Sequence, residues 1–127
     1  MYDHMGLGVT DYQRSTAFYD AVLAPLGIRQ LYVAPKEFTG GVDVVGYGVQ
    51  RPMFWISGAD PTRGKLHIAF AAETRAQVDA FHAAALKAGG KDNGPPGLRP
   101  HYDKDYYGAF VLDPDGFNVE AVCRATE

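Results

Sequence analysis

The 127-residue sequence predicts one α+β domain built from two related βαβββ modules. Three observations carry this reading: an internal repeat, a regular alternation of apolar period, and cap or turn residues at the boundaries. Laying His4 on His67, a shift of 63 residues, also pairs Ala17 with Ala80, Phe18 with Phe81, Ala21 with Ala84, Leu23 with Leu86 and Gly27 with Gly90. Self-similarity at one fixed spacing marks a duplicated structural unit. Module 1 then covers about 1–58, a linker 59–65, and module 2 about 66–124.

Each module opens with a strand and a helix. Residues 3–9 and 66–72 alternate apolar and small or polar positions, as half-buried strands do. Over 11–26 and 74–89 the apolar positions recur at helical spacing, with Phe18 and Val22, or Val78, Phe81 and Ala85, on one face. Asp11 is suited to cap the first helix, and Thr74 with Gln77 three residues on has the form of a capping box. Gly27 and Gly89 are suitable stops. Shorter strands follow at about 28–34, 42–49 and 52–57 in module 1, and at 106–113 and 116–124 in module 2. Between the last two, Asp113-Pro114-Asp115-Gly116 is a hairpin turn, Pro presetting φ and Gly taking positive φ. Its Asp-x-Asp-Gly pattern lacks the remaining ligands of a calcium loop. The segment 91–105 holds so much Pro and Gly that it reads as an irregular connection, either a mobile surface loop or a binding loop.

Composition limits the function classes. With 46% hydrophobic and 21% charged residues the chain is of ordinary globular make-up, and 15 Gly with 8 Pro points to turns. A net charge of -3 with singly scattered Lys and Arg offers no basic stripe for nucleic acid. No apolar run is long enough to span a bilayer, and the start of the chain does not read as a signal peptide. One cysteine, Cys123, fits a reducing compartment, so a cytoplasmic location is expected.

The polar residues of the strands point to a metal. His4 shares a face with Gly6 and Gly8, His67 with Ala69 and Ala71, and Glu120 with Asn118 and Val122, because alternate strand residues face the same way. The opposite faces carry Met5, Leu7 and Val9, Leu66, Ile68 and Phe70, and Phe117, Val119, Ala121 and Cys123, which belong under the helices. Small residues beside the two histidines leave volume for a cavity. Two imidazoles and a carboxylate converging there form a facial triad that holds Fe(II), Mn(II), Co(II), Ni(II) or Zn(II) with positions open for substrate. A lone strand histidine is more often a hydrogen-bonded core residue. Two of them at equivalent places in a repeat, with a Glu, shift the balance to a site. His82 and His101 read as solvent-facing or substrate-side groups.

The segments His4-Met-Gly-Leu-Gly-Val-Thr-Asp, Ala17-Phe-Tyr with Leu23, His67-Ile-Ala-Phe and Leu112-Asp-Pro-Asp-Gly-Phe-Asn-Val-Glu120 resemble the vicinal oxygen chelate superfamily of glyoxalases, bleomycin-resistance proteins and dioxygenases. The resemblance covers nearly the whole chain, and the Asp-Pro-Asp-Gly-x-x-x-Glu stretch is its most specific part. It implies a half-barrel of paired βαβββ modules around a metal held by His4, His67 and Glu120, and a homodimer in which modules pair within one chain or across two. Many members take a fourth ligand from the last strand of the first module. Matching Phe54-Trp55-Ile56 to Val119-Glu120-Ala121 puts Trp55 there, and indole cannot ligate in that way. The pattern thus departs from glyoxalase I, which needs a carboxylate, and is closer to the extradiol dioxygenases and fosfomycin-resistance thiol transferases.

Two functions follow as expectations. One is a metal-dependent enzyme, a lyase, isomerase, dioxygenase or thiol transferase, in which the ion chelates two oxygens of a small substrate and stabilises developing negative charge. Tyr107, His101 and Arg99 are its candidates for proton transfer or anion binding, and Trp55 and Tyr106 for substrate contact. The alternative is a metal-free sequestering protein like the bleomycin-binding members, with Trp55 and the tyrosines stacking on an aromatic drug.

Overall fold

The computed structural model describes residues 1–126. Module 1 runs β1 (Met5–Gly8), α1 (Tyr12–Leu23), a 3₁₀ turn (Ala24–Leu26), β2 (Arg29–Val33), the short α2 (Lys36–Thr39), β3 (Val44–Gly48) and β4 (Phe54–Ser57). Module 2 runs β5 (His67–Ala72), α3 (Arg75–Lys87), β6 (Lys91–Leu98), β7 (Tyr107–Leu112) and β8 (Asn118–Cys123). Each module forms a four-stranded sheet, in the orders β1-β4-β3-β2 and β5-β8-β7-β6. The opening and closing strands of each sheet are parallel neighbours and the other pairs are antiparallel. The duplication therefore extends from sequence to topology, and the sheets do not close into a barrel.

The helix boundaries follow from their caps. The Asp11 side chain accepts from the Arg14 N–H at 3.1 Å, and Thr74 and Gln77 form a reciprocal capping box. Gly27, at φ 77°, ends the first helical segment in the left-handed region that a Cβ disfavours. Below the sheets lies one shared core. Leu7 of β1 and Val9 just after it, Phe54 and Ile56 of β4, Phe70 of β5 and Val119 and Ala121 of β8 point inward onto Phe18, Tyr19 and Val22 of α1 and Val78, Phe81 and Ala85 of α3. The two helices also pack on each other. The rings of Phe54 and Phe70, one from each sheet, meet edge-on at 5.2 Å.

A buried polar lock adds to this apolar contact between the modules. Asp113, only 5% exposed, accepts from the Tyr19 hydroxyl of α1 at 2.5 Å and from the Asp115 and Phe117 N–H groups at 2.9 Å each. Beside it, the Thr10 N–H donates to Asp115 and the Arg14 guanidinium to the Pro114 carbonyl. The hairpin turn of module 2 is thus plugged into the start of α1. Burial pushes the Asp113 carboxyl above its ordinary range despite its donors, and burial beside that carboxylate pushes the Tyr19 phenol well up.

The structure corrects the sequence reading in two places. Residues 91–98, expected to be irregular, form β6, while the connection itself is confined to the residues before β7. Gly94, Pro95, Pro96 and Gly97 are tolerated because β6 is an edge strand, paired on one side only and with register shifts at Asp92/Gly94 and Gly94/Gly97. Gly8 does not open a cavity: a Cβ there would lie 2.2 Å from the Asp60 carbonyl oxygen, so Gly8 instead admits the linker. Gly6 does leave open space, with nothing within 4 Å of a built Cβ. No helix among the described residues is long and apolar enough to cross a membrane.

Candidate metal and substrate site

With one face of each sheet committed to the core, the chemistry lies on the other. On module 2, the parallel pairing of β5 and β8 sets Ala69 opposite Glu120, and the small alanine leaves room beside the carboxylate. Glu120 is 1% exposed, an expensive place for a charge unless its oxygens have partners. Both have. Oε1 lies 3.0 Å from His67 Nε2, and Oε2 accepts a short hydrogen bond from the Tyr106 hydroxyl. Gly108 makes this possible, since a Cβ there would stand 3.1 Å from both Oε2 and the Tyr106 ring.

The orientation of His67 is fixed from its other side. Nδ1 lies 3.1 Å from the Asn118 carbonyl oxygen, which can only accept, so Nδ1 carries a proton. The Phe110 ring stacks on the imidazole at 6.0 Å and 23°. Nε2 and Oε1 therefore aim at one point. With the His67 proton on Nδ1, they present a nitrogen and an oxygen lone pair side by side, as a cation requires. A histidine whose second nitrogen is held by a backbone carbonyl, next to a carboxylate held by a phenol, is the donor arrangement of a metal site with its supporting shell. Burial, reinforced by the Glu120 charge, pushes the Tyr106 phenol up to about 12, so it stays a hydrogen-bond donor at neutral pH.

The third predicted ligand is elsewhere. His4 precedes β1 on module 1, exposed, with Nδ1 2.8 Å from Asp3 Oδ1. It borders a cleft of about 1040 Å³ between the modules that His67 also lines, together with Met5, Met53, Phe54 and Phe70. Among the described residues no three His, Cys, Asp or Glu side chains come close enough to hold an ion. One copy of the chain thus gathers two of the three.

The remaining predicted residues separate by strand face. Trp55 is paired with Gly6 of β1 and Gly46 of β3, the module 1 counterpart of the place Glu120 occupies between Ala69 and Phe110. Its indole points away from the helices and lies on Gly46, where a Cβ would come within 2.9 Å of the ring. Arg99 sets its guanidinium 5.5 Å above the Phe110 ring, on the face of Glu120. Tyr107 faces the other way: its hydroxyl donates to Asp79 of α3 at 2.6 Å, which raises the phenol. His101 is exposed in the turn before β7, against the Tyr102 ring at 4.3 Å. The structure brings neither Tyr107 nor His101 to the His67–Glu120 pair. Sequence reasoning missed that Tyr106 grips the carboxylate. The signal was parity, because Tyr106, Gly108 and Phe110 alternate along one face, and Phe110 pairs with Glu120.

The profile of the Glyoxalase/Bleomycin resistance protein/Dioxygenase superfamily matches residues 2–121. A glyoxalase/bleomycin resistance protein from Albidiferax ferrireducens T118 is 36% identical, with a TM-score of 0.78 over 98% of this chain and 99% of that one. More distant structures share the fold. A mutant of the fosfomycin resistance protein FosX from Listeria monocytogenes, complexed with Mn(II) and a dihydroxypropylphosphonic acid, is 18% identical with a TM-score of 0.67, covering 96% of this chain and 88% of that one. A mutant of glyoxalase I from Zea mays is 20% identical with a TM-score of 0.71, and 98% of this chain matches 45% of it. No curated protein matches the chain.

Proposed function

The chain belongs to the Glyoxalase/Bleomycin resistance protein/Dioxygenase superfamily, and on that premise we propose that it is a divalent-metal-dependent enzyme acting on a small substrate with two chelating oxygens. The observation that carries this is the His67–Glu120 pair, buried at the carboxylate and oriented from both sides by Asn118 and Tyr106. His67 and Glu120 are the proposed ligands from one copy and His4 of a second copy the third, because the chain does not gather all three itself. The FosX structure complexed with Mn(II), which shares this fold, supports a metal here without naming it. Fe, Mn, Co, Ni and Zn all suit two imidazoles and a carboxylate.

A divalent ion so held supplies Lewis-acid stabilisation of negative charge developing on substrate oxygen. The chain's own groups prepare for this. The Asn118 carbonyl keeps the His67 proton on Nδ1 and so leaves Nε2 to donate. Tyr106 withholds Oε2 and keeps Oε1 directed outward. Trp55 offers an indole face and Arg99 a cation to the substrate. The proposed assembly is a homodimer with the open face of module 1 opposite module 2 of the partner, in the cytoplasm.

Metal analysis of protein purified without chelators, followed by Mn(II) and Zn(II) titration, tests the proposal. About one ion per chain is expected, lost in His67→Ala. No metal in the purified protein and no uptake of Mn(II) or Zn(II) would overturn it. It would leave the sequestering alternative, which the apolar inter-module cleft favours. Sedimentation should show a dimer at micromolar concentration, and monomer alone would remove the proposed role of His4.

A further inference from the structure

We infer that the site takes a substrate carrying a carboxylate, phosphate or phosphonate group, and that Arg99 is the residue that binds this oxyanion. The inference rests on the proposed site at His67 and Glu120 but draws on separate observations. Arg99 lies half-buried on the open face of module 2, its guanidinium carbon 5.5 Å from the centre of the Phe110 ring. Phe110 in turn stacks on His67, so one aromatic ring separates the guanidinium from the proposed ligand pair.

The seat under Arg99 is built for a guanidinium. A Cβ on Gly97 would lie 3.2 Å from Nη1, and a Cβ on Gly94 would lie 3.3 Å from Nη2. Side chains at either position would crowd it. Nη2 donates to the Pro95 carbonyl at 2.7 Å, which fixes the plane. The register shifts that make β6 irregular fall at these same glycines, bringing the Pro95 carbonyl and the guanidinium together.

What the seat lacks is an anion. Among the described residues no carboxylate lies within 4 Å of Arg99; Arg51 and Arg124 each have an aspartate, while Arg14, Arg29, Arg63 and Arg75 share the lack, so it is the built seat that sets Arg99 apart. Nε and Nη1 meet no acceptor there either. A planar cation with unused donors, held rigidly on an apolar surface, matches the two-oxygen edge of a carboxylate or phosph(on)ate. A substrate bridging the pair and Arg99 would therefore place its chelating oxygens at His67–Glu120 and its anionic end one ring away.

The test uses the whole protein and two simple probes, methylphosphonate and acetate, followed by NMR without metal. The Arg99 Nε–Hε signal, identified by its absence in Arg99→Lys, should shift saturably with at least one probe, and which one distinguishes a phosphonate from a carboxylate substrate. The exposed Arg63 should respond only weakly and linearly. Arg99→Met should weaken binding about tenfold or more. Gly97→Ala, which keeps the charge but crowds Nη1, should weaken it severalfold. Equal titrations in wild type and Arg99→Met, or unsaturable shifts alike at Arg63 and Arg99, would overturn the assignment. The metal reading is scored separately: Glu120→Gln should lose Mn(II) and still bind the anion, and Arg99→Met should keep Mn(II). Anion binding without Mn(II) uptake leaves Arg99 assigned and the metal proposal refuted, and Mn(II) uptake without anion binding does the reverse.

Discussion

Modules 1 and 2 share strand order, helix placement and register, yet only one carries a prepared polar site. At the position between opening and third strands, module 1 has Trp55 and module 2 has Glu120. Around Trp55 stand Gly6, Gly46 and the edge of Tyr32, while around Glu120 stand Ala69, His67, Tyr106 and Gly108. The backbone lattice thus specifies where a side chain projects, and the residue chosen decides whether that place holds a charge or an aromatic plane. A fold can be duplicated with its chemistry concentrated in one copy.

The sharpest way to break this comparison is to remove the polar group from one module and the aromatic group from the other. Glu120→Gln is expected to lower Mn(II) or Zn(II) affinity by about a hundredfold or more, as loss of a ligand exceeds the ten- to hundredfold typical of supporting groups. Trp55→Phe should leave that affinity within about twofold. Calorimetric titration of the two variants decides it, and equal losses would mean that Trp55 matters to the ion as much as Glu120 does.

The hairpin turns differ in the same sense. The β7–β8 turn buries Asp113 under α1, whereas the β3–β4 turn exposes Val49 at 57% and borders the open cleft. Asp113→Ala should therefore cost about 2–3 kcal/mol in denaturant unfolding, leaving the Tyr19 hydroxyl and two backbone N–H groups unpaired. Gln50→Ala in the other turn should stay within about 0.5 kcal/mol. The pH dependence sharpens this. Burial raises the folded Asp113 pKa above its unfolded value near 3.8, so between the two the folded chain holds the extra proton. The contribution of this group is present below that unfolded value and declines as pH rises through the folded one. Wild-type stability measured relative to Asp113→Asn should fall as pH rises from about 4, and a flat difference would show that the carboxyl is not shifted.

A smaller effect is expected one bond out from the ligand. Tyr106→Phe removes the hydroxyl that withholds Oε2, and metal affinity should fall about tenfold with the fold intact. An unchanged affinity would make Tyr106 a packing residue only.

Much of this architecture was legible in the sequence because it is periodic. The repeat located both modules, parity placed Trp55 and Glu120 on the faces they occupy, and Thr74 with Gln77 marked a helix start that the structure reproduces. What escaped was aperiodic or long-range. β6 was hidden because Pro95 and Pro96 contradict an interior strand, and nothing local reveals that the strand lies at an edge. Asp113 read only as a turn residue, since its partner Tyr19 is 94 positions away. Tyr106 and Tyr107 are adjacent and chemically alike, and only the start of β7 decides that one grips Glu120 while the other turns to Asp79. His4 reads as a ligand by symmetry, yet strand pairing within one chain does not carry it to Glu120.

The smallest expected effect concerns how the unlike faces meet. Trp55 is the only tryptophan, so emission reports on module 1 alone, while the proposed ion sits chiefly on module 2. If the open face of module 1 lies opposite module 2 of a partner copy, Co(II) binding should quench Trp55 emission in step with uptake, without any change in affinity. The quench should fade on dilution to monomer, while His67 and Glu120 retain weaker binding through their two donors. His4→Ala should then lower affinity in the dimer but not in the monomer, because only the dimer uses that imidazole. Stoichiometric uptake with constant emission would place Trp55 away from the ion. Module 1 would then supply no aromatic wall, and His4 would be its one link to the ion.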